Sequence, residues 1–159
     1  TRTDGYGGDL AGRGRLLERV VREVRAVIPE GMPLLIRVSA TDWVDGGWDV
    51  DECAKLLGGL KGQGIDFVDV SSGGLDPRAR MPAGPGYQVA LAGRIRNGTG
   101  LPVGAVGLIT TVEQIEQILL NGSADAVSLG RLLLRDPYWP SRNLPANARR
   151  IPRQYLRAY

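Results

Sequence analysis

The sequence predicts an α/β fold with a parallel β-sheet. Short apolar segments alternate along the chain with longer segments whose apolar residues recur at helical spacing. This alternation is typical of parallel strands joined by right-handed helical crossovers. The chain has 159 residues, which is enough for one domain but fewer than the roughly 250 residues of a complete (β/α)8 barrel. Four such strands form either an open doubly wound sheet or half of a barrel.

One helix precedes four strand–helix units. Apolar residues at helical spacing predict the first helix over residues 14–28, and Pro29 and Gly31 end it. The predicted strands cover residues 33–39, 66–70, 102–106 and 124–129. The predicted helices after them cover residues 50–63, 87–97 and 112–120, with one or two helical turns at 130–135. An open flavodoxin-like sheet usually begins with a strand and carries its phosphate loop after an early strand, so this order favours half of a barrel.

The end of the chain differs in composition from the rest. Residues 139–159 are rich in proline and arginine, which predicts a tail lying over a surface. We therefore divide the chain into a barrel segment, residues 1–138, and a C-terminal tail, residues 139–159.

Composition and charge argue against several function classes. The formal net charge of +3 is spread along the chain, so nucleic-acid binding is not indicated. No apolar run approaches the roughly 18 residues that span a membrane. No secretory signal is visible, so a cytoplasmic location is expected. The chain has no histidine and a single cysteine, Cys53, which is expected to be buried or half-buried in a helix. This argues against a transition-metal site and an internal disulfide.

The loop after the first strand is rich in acidic and aromatic residues, namely Asp42, Trp43, Asp45, Trp48, Asp49 and Asp51. The spacing of its carboxylates does not match the calcium-binding loop of an EF-hand. Asp49 is instead expected to cap the following helix. The two tryptophans are interpreted as packing residues, with contact to a partner subunit as the alternative.

Residues suited to ligand binding lie at the ends of the predicted strands, which in a barrel meet on one face. Arg37, on the first strand, is interpreted either as a core salt-bridge partner or as a fixed cation facing a ligand that gains negative charge. Residues 71–74 (SSGG) follow the second strand and form either a simple tight turn or part of the site.

Two glycine clusters together indicate a phosphate site. Residues 104–107 (GAVG) follow the third strand, and Gly130 and Arg131 follow the fourth, where a short helix begins. Glycines let the backbone approach a ligand, and a helix N-terminus supplies oriented N–H donors. A phosphate held by the loop after the seventh strand and by a short helix after the eighth is a recurrent feature of (β/α)8 barrels. Either cluster alone is a weak signal, and their pairing predicts the phosphate.

Six segments of the chain resemble one flavoprotein family. They are TRTDGYGG at 1–8, LIRVSATDW at 35–43, DFVDVSSGG at 66–74, PGYQVALAGRIR at 85–96, VGAVGLIT at 103–110 and SLGRLLLRDPYW at 128–139. In this order and spacing they resemble the Old Yellow Enzyme family, and QYLRAY at 154–159 resembles the tail of its thermophilic-like subgroup. The resemblance covers essentially the whole chain and implies the C-terminal half, strands 5–8, of a TIM (β/α)8 barrel.

The resemblance also implies roles for individual residues. Arg37 is expected along the pyrimidine edge of FMN, where its charge would stabilise the anionic reduced flavin, and Ser71 is expected on the ribityl side. The residues expected to hold the FMN phosphate are Gly107, Gly130 and Arg131. Arg157 is expected to reach into the active site of a neighbouring subunit, which implies a homo-oligomer, either dimer or tetramer.

The function implied by the resemblance is that of an ene-reductase. NAD(P)H would reduce FMN, and the flavin would pass hydride to the β-carbon of an activated alkene such as an α,β-unsaturated carbonyl compound. The family's substrate-binding histidines and proton-donating tyrosine precede the first residue here, so an N-terminal half-barrel segment or chain is expected as partner and the isolated chain is expected to be inactive. One departure from the family is AGR at residues 11–13 in place of ENR, which is expected to weaken a helix cap.

Two other functions remain open at this point. The chain can be a stand-alone half-barrel that binds a phosphate-bearing ligand or self-associates without catalysis. It can also belong to a different phosphate-binding barrel enzyme, such as an isomerase, although the QYLRAY tail argues against this reading.

Overall fold

The computed structural model describes residues 2–143 and 152–158. The helices are α1 (Leu10–Val27), α2 (Val50–Leu60), α3 (Val89–Thr99), α4 (Val112–Leu120), α5 (Arg131–Arg135) and α6 (Trp139–Asn143), followed by a 3₁₀ helix at Arg153–Ala158. The strands are β1 (Leu35–Ser39), β2 (Phe67–Ser71), β3 (Val103–Ala105) and β4 (Ala126–Val127). The predicted alternation of helices and strands is confirmed.

The order of the strands decides between the two architectures left open by the sequence. All three strand pairs are parallel, and the strands lie side by side in the order β1-β2-β3-β4. A doubly wound sheet reverses its strand order at a switch point, whereas here each new strand is added on the same side of the preceding one. With right-handed crossovers, the connecting helices then lie on one face of the sheet. This is the arrangement of consecutive strands in a (β/α)8 barrel.

The core lies between the sheet and the helices that cover it. Alternate residues of β2 and β3 point towards this core, and their side chains are completely buried at Val68, Val70, Val103 and Ala105. The helices contribute a matching set of buried apolar side chains, Cys53, Leu57, Leu60, Ala92 and Ile95. Complete burial of a side chain of this size contributes about 1.5–3 kcal/mol relative to exposure. The core therefore anchors the strands whose ends carry the candidate site.

Side-chain caps determine where three of the helices begin. Asp9 accepts a hydrogen bond from the backbone N–H of Gly12 at the start of α1. Asp49 accepts from the first turn of α2, which confirms its predicted role, and Thr111 forms a capping box with Gln114 at the start of α4. The weakened cap expected from residues 11–13 is not seen, because Asp9 supplies the capping carboxylate.

Several elements differ in length from the prediction, among them α1 and β4. α1 begins four residues earlier than residue 14, because Asp9 caps it directly before Leu10. β4 contains two residues in place of the predicted 124–129. Its hydrogen bonds to β3 extend from the amide of Asp125 to the amide of Ser128. It pairs with one strand only among the described residues, and such an edge position allows a strand to stay short.

The predicted boundary between barrel segment and tail, at residue 138, remains a prediction. α6 and the 3₁₀ helix lie within the predicted tail, while Thr1, residues 144–151 and Tyr159 lie outside the described residues. Among the helices that the structure does describe, none combines the length and apolar character needed to cross a membrane.

Candidate functional site

A cavity of about 420 Å³ opens at the carboxyl ends of the strands. β1, β2 and the segments that follow β2, β3 and β4 all contribute to its wall. The lining residues are Arg37, Ser71, Ser72, Gly73, Tyr87, Gln88, Val106, Gly107, Leu108, Ile109, Thr110, Ser128, Gly130, Arg131, Leu132 and Arg135. The volume lies in the range of small-molecule sites, which is about 300–1,000 Å³.

Five of the six predicted site residues meet in this cavity. They come from positions spread over all four strand–helix units and are Arg37, Ser71, Gly107, Gly130 and Arg131. The sixth, Arg157, is an exposed residue of the 3₁₀ helix and does not line the cavity. The structure therefore groups the five residues as the sequence predicted, while their roles towards a flavin and the role of Arg157 between subunits stay predictions.

The wall of the cavity carries positive charge and no negative charge. Its ionised side chains are those of Arg37, Arg131 and Arg135, and no aspartate or glutamate lines it. Within the described residues, Arg131 and Arg135 form no ion pair. Unpaired guanidinium groups around one cavity favour an anionic ligand, because their planar donors match carboxylate and phosphate oxygens.

Arg37 forms a salt bridge and also lines the cavity. Its Nη1 donates to Oδ2 of Asp69 at 2.9 Å, across the β1–β2 register that pairs these two residues. Its side chain is nevertheless 60% exposed and lines the cavity. The other carboxylate oxygen of Asp69, Oδ1, is buried and has no hydrogen-bond partner among the described residues. Asp69 thus holds a guanidinium that still presents donors to the cavity.

The two adjacent serines at the end of β2 have different partners. Ser71 Oγ donates to the carbonyl of Val38 at 3.0 Å, and this bond ties β2 to β1. Ser72 Oγ instead accepts from Trp43 Nε1 at 2.9 Å and donates to Gln88 Oε1 at 2.7 Å. Gly73 has a φ of +66°, so the tight turn is present and also forms part of the cavity wall.

The loop after β3 presents two free backbone amides. The carbonyl of Val106 accepts from Gln88 Nε2 at 2.8 Å, and the carbonyl of Gly107 accepts from the amide of Gly86 at 2.8 Å. The N–H groups of Gly107 and Leu108 bond to no acceptor among the described residues. Successive amides directed to one side form a concave anion-binding feature called a nest.

The start of α5 presents two more free amides. Gly130 is the residue before the first turn of α5, and neither its N–H nor that of Arg131 has an acceptor in the described part of the chain. A Cβ built on Gly130 would meet nothing within 4 Å. No protein neighbour therefore explains this glycine, and the space beside its backbone is open to a ligand.

Several wall residues escaped the sequence reasoning, among them Tyr87, Gln88 and Arg135. Tyr87 and Gln88 stand in the segment PGYQ, directly before α3, where two polar side chains after a turn were a usable signal. Arg135 follows Arg131 by four positions, so the two side chains share one face of a helix. That spacing was visible in the sequence and predicts a second cation beside Arg131.

The described residues give no sign of a metal centre. They contain no cluster of three or more histidine, cysteine or carboxylate side chains that could hold an ion. Cys53 is buried as predicted, and its burial raises the pKa of the thiol to about 11. The thiol is therefore protonated at neutral pH and unsuited to act as a nucleophile.

Comparison with known proteins identifies the family. A family model described as NADH:flavin oxidoreductase / NADH oxidase matches residues 1–146. The chain belongs to this family. The resemblance inferred from the sequence motifs is thereby confirmed.

Curated relatives of the chain support its assignment to this flavin oxidoreductase family. An NADPH dehydrogenase of Geobacillus thermodenitrificans is 49% identical over 139 residues, which cover 87% of this chain and 40% of that protein. An NADPH dehydrogenase of Bacillus pumilus is 46% identical over 160 aligned residues, which cover 99% of this chain and 46% of that protein. The chain spans less than half the length of these relatives.

A solved structure agrees with the fold. The chain is similar to part of histamine dehydrogenase from Rhizobium sp. 4-9, with a TM-score of 0.74 and 25% sequence identity. The match covers 89% of this chain and 21% of that structure. Together with the sequential parallel strands, it confirms the predicted fold class, an α/β segment of a (β/α)8 barrel.

Proposed function

We propose that this chain is the FMN-binding half of an NAD(P)H-dependent ene-reductase, which transfers hydride from reduced FMN to the β-carbon of an activated alkene. The observation that carries the FMN part of the proposal is the cavity at the strand ends, where arginine side chains and free backbone amides converge without a carboxylate in the wall. The reduction of alkenes is supported by the family resemblance of the sequence motifs.

The residues of the cavity suit the two chemically different parts of FMN. The free amides of Gly107, Gly130 and Arg131, together with the Arg131 guanidinium, are donors suited to a phosphate dianion. Ser71 would face the polyhydroxylated ribityl chain. Arg37 would stabilise negative charge on the flavin ring, because Asp69 holds its cationic guanidinium in position. When bound, FMN would supply the hydride-transfer chemistry that no side chain can provide.

The residues of this chain would bind FMN and supply positive charge, whereas the groups that act on the substrate would come from a partner. We propose that substrate recognition and proton donation come from an N-terminal half-barrel segment or chain. We further propose that the protein acts as a homo-oligomer in which Arg157 reaches a neighbouring subunit. The exposed position of Arg157, away from the cavity of its own chain, is consistent with such a contact.

The proposal is tested first by titrating the chain with FMN and following the flavin absorbance and fluorescence. Arg131→Ala should weaken binding by about tenfold or more, since a hydrogen bond to a charged group contributes about 1.5–3 kcal/mol. Arg22→Ala is the matched control, because Arg22 lies on α1 and its ion pair with Glu23 is exposed. The control should bind FMN like the unaltered chain. A folded chain without saturable FMN binding would contradict the proposal.

A second experiment tests the reduction of alkenes. The chain is put in place of the matching segment of the Bacillus pumilus relative, of which the match covers 46%. We expect this protein to oxidise NADPH in the absence of oxygen only when an α,β-unsaturated ketone is present, and to lose that activity with Arg131→Ala. NADPH oxidation that the ketone does not stimulate, in a protein that retains FMN, would count against an ene-reductase.

A further inference from the structure

A chain of hydrogen bonds joins the loops around the cavity. Trp43 Nε1 donates to Ser72 Oγ at 2.9 Å, Ser72 Oγ donates to Gln88 Oε1 at 2.7 Å, and Gln88 Nε2 donates to the Val106 carbonyl at 2.8 Å. We call this series the Gln88 relay. It connects the segments after β1, β2 and β3 through a residue at the start of α3. Gln88 is 3% exposed, and a side chain so deeply buried keeps its position only if both ends of its amide are satisfied.

The direction of the Gln88 relay is fixed by its two ends. The indole of Trp43 can only donate, and the backbone carbonyl of Val106 can only accept. One orientation of the Gln88 amide satisfies both neighbours, with its oxygen towards Ser72 and its nitrogen towards Val106. A carboxylate at this position would set an acceptor against the Val106 carbonyl.

The relay thereby orients a cavity amide. The Val106 carbonyl and the Gly107 N–H belong to one trans peptide, so they point in opposite directions. The next carbonyl, that of Gly107, is held by the amide of Gly86 in the same manner. Both carbonyls point towards residues 86–88, and the N–H groups of Gly107 and Leu108 therefore point away from that segment. These are the two amides of the nest in the cavity wall.

Backbone conformation supports the idea that the relay holds the loops in place. Trp43 has a φ of +58° and Leu108 a φ of +53°, and they are the two non-glycine residues with positive φ among those described. Such conformations persist only where surrounding contacts impose them. Trp43 is the first member of the relay, and Leu108 carries one of the nest amides two residues after Val106, the last member.

We propose that Gln88 is a positioning residue for phosphate recognition, which sets the nest amides of Gly107 and Leu108 towards the phosphate of the flavin. This inference rests on the proposed function and adds a residue that does not itself contact the phosphate. Gly107 fits the same arrangement, because a Cβ on it would lie 3.0 Å from Gln88 Nε2 and 3.0 Å from the Tyr87 ring.

The test compares FMN with riboflavin, which carries the same ring and ribityl chain without the phosphate. Gln88→Glu and Gln88→Met are titrated with both flavins, beside Gln63→Glu as matched control. Gln63 also donates its side-chain amide to a backbone carbonyl, that of Gly59, but it is exposed at the end of α2. If the Gln88 variants do not fold, Ser72→Ala is titrated in their place, because it breaks the relay one step earlier.

We expect both Gln88 variants to lose about tenfold or more in FMN affinity and less than about threefold in riboflavin affinity. The control should retain both affinities. Equal losses for the two flavins would show a merely structural role and overturn the inference, as would unchanged FMN affinity in folded variants. An unaltered chain that binds no FMN would overturn the proposed function, whereas binding by the unaltered chain with no selective loss in the variants would overturn this inference alone.

Discussion

Gly107 and Gly130 line the same cavity but need the absence of a side chain for different reasons. Gly107 has a φ of +130°, and its missing Cβ leaves room for Gln88 and Tyr87. Gly130 has a negative φ and no atom within 4 Å of the place where a Cβ would be. The first glycine is required by the protein itself, whereas the second leaves open space in which a ligand can approach the backbone.

This difference predicts opposite behaviour of two alanine variants. Gly107→Ala should lower the free energy of unfolding by about 1–3 kcal/mol, because it imposes a strained backbone conformation and a close contact. Gly130→Ala should leave the free energy of unfolding within about 0.5 kcal/mol and still weaken FMN binding. Urea unfolding and flavin titration measure the two quantities. A Gly130→Ala protein that binds FMN normally would remove Gly130 from the site.

Among the secondary-structure elements, α3 and β4 are linked to β3 through Asp125. Its carboxylate accepts from Arg96, near the end of α3, and from the amide of Val103 at the start of β3. The hydrogen bond from Arg96 is the main reason that the pKa of Asp125 lies below its ordinary value of 3.8, with the Val103 amide contributing. Because β4 is short, this carboxylate helps to keep Gly130 and Arg131 beside the loop after β3.

Asp125→Ala should therefore lower the free energy of unfolding by about 1–2 kcal/mol at neutral pH, since it leaves the Val103 amide and Arg96 without their acceptor. Glu23→Ala, which breaks an exposed pair on α1, serves as control and should change it by less than about 0.5 kcal/mol. A lowered pKa in the folded state stabilises the protein above the unfolded pKa near 3.8. The difference between Asp125→Ala and the unaltered chain should accordingly shrink as the pH falls below 3.8, and a difference that persists there would contradict this explanation.

Sequence periodicity predicted the presence of helices and strands better than the residues at which they begin and end. The helices and strands of residues 1–138 were recognisable, because one face of most of them meets a common core and the apolar spacing records that face. The helices within residues 139–159 were not predicted. The start of α1 was missed, since Asp9 caps a helix that continues through Gly12 and Gly14. The length of β4 was overestimated for a related reason, because apolar residues such as Leu129 continue to pack against the core after the strand pairing has ended.

For the molecule as a whole, the strand order could not be read from periodicity. Both a doubly wound sheet and a barrel contain the same alternating elements, and only the sequential parallel pairing separates them. The site was more accessible to prediction, since residues at the carboxyl ends of parallel strands must converge. Gln88 was missed because its importance depends on partners from three distant loops, which no local pattern reveals.

The cavity is the place where these separate parts of the chain meet. Arg37, the nest amides, and the Gly130–Arg131 segment come from different strand–helix units and meet only because the strands are parallel and in sequential order. Under the proposed function, FMN binds at this meeting point through its phosphate.

The most direct test follows the backbone amide signals of the isotopically labelled chain by NMR during titration with FMN and, separately, with riboflavin. We predict that the amides of Gly107, Leu108 and Arg131 shift strongly with FMN and little with riboflavin, because a hydrogen bond to a phosphate oxygen perturbs the donating N–H directly. Saturable FMN binding that leaves these amides unchanged would contradict the claim.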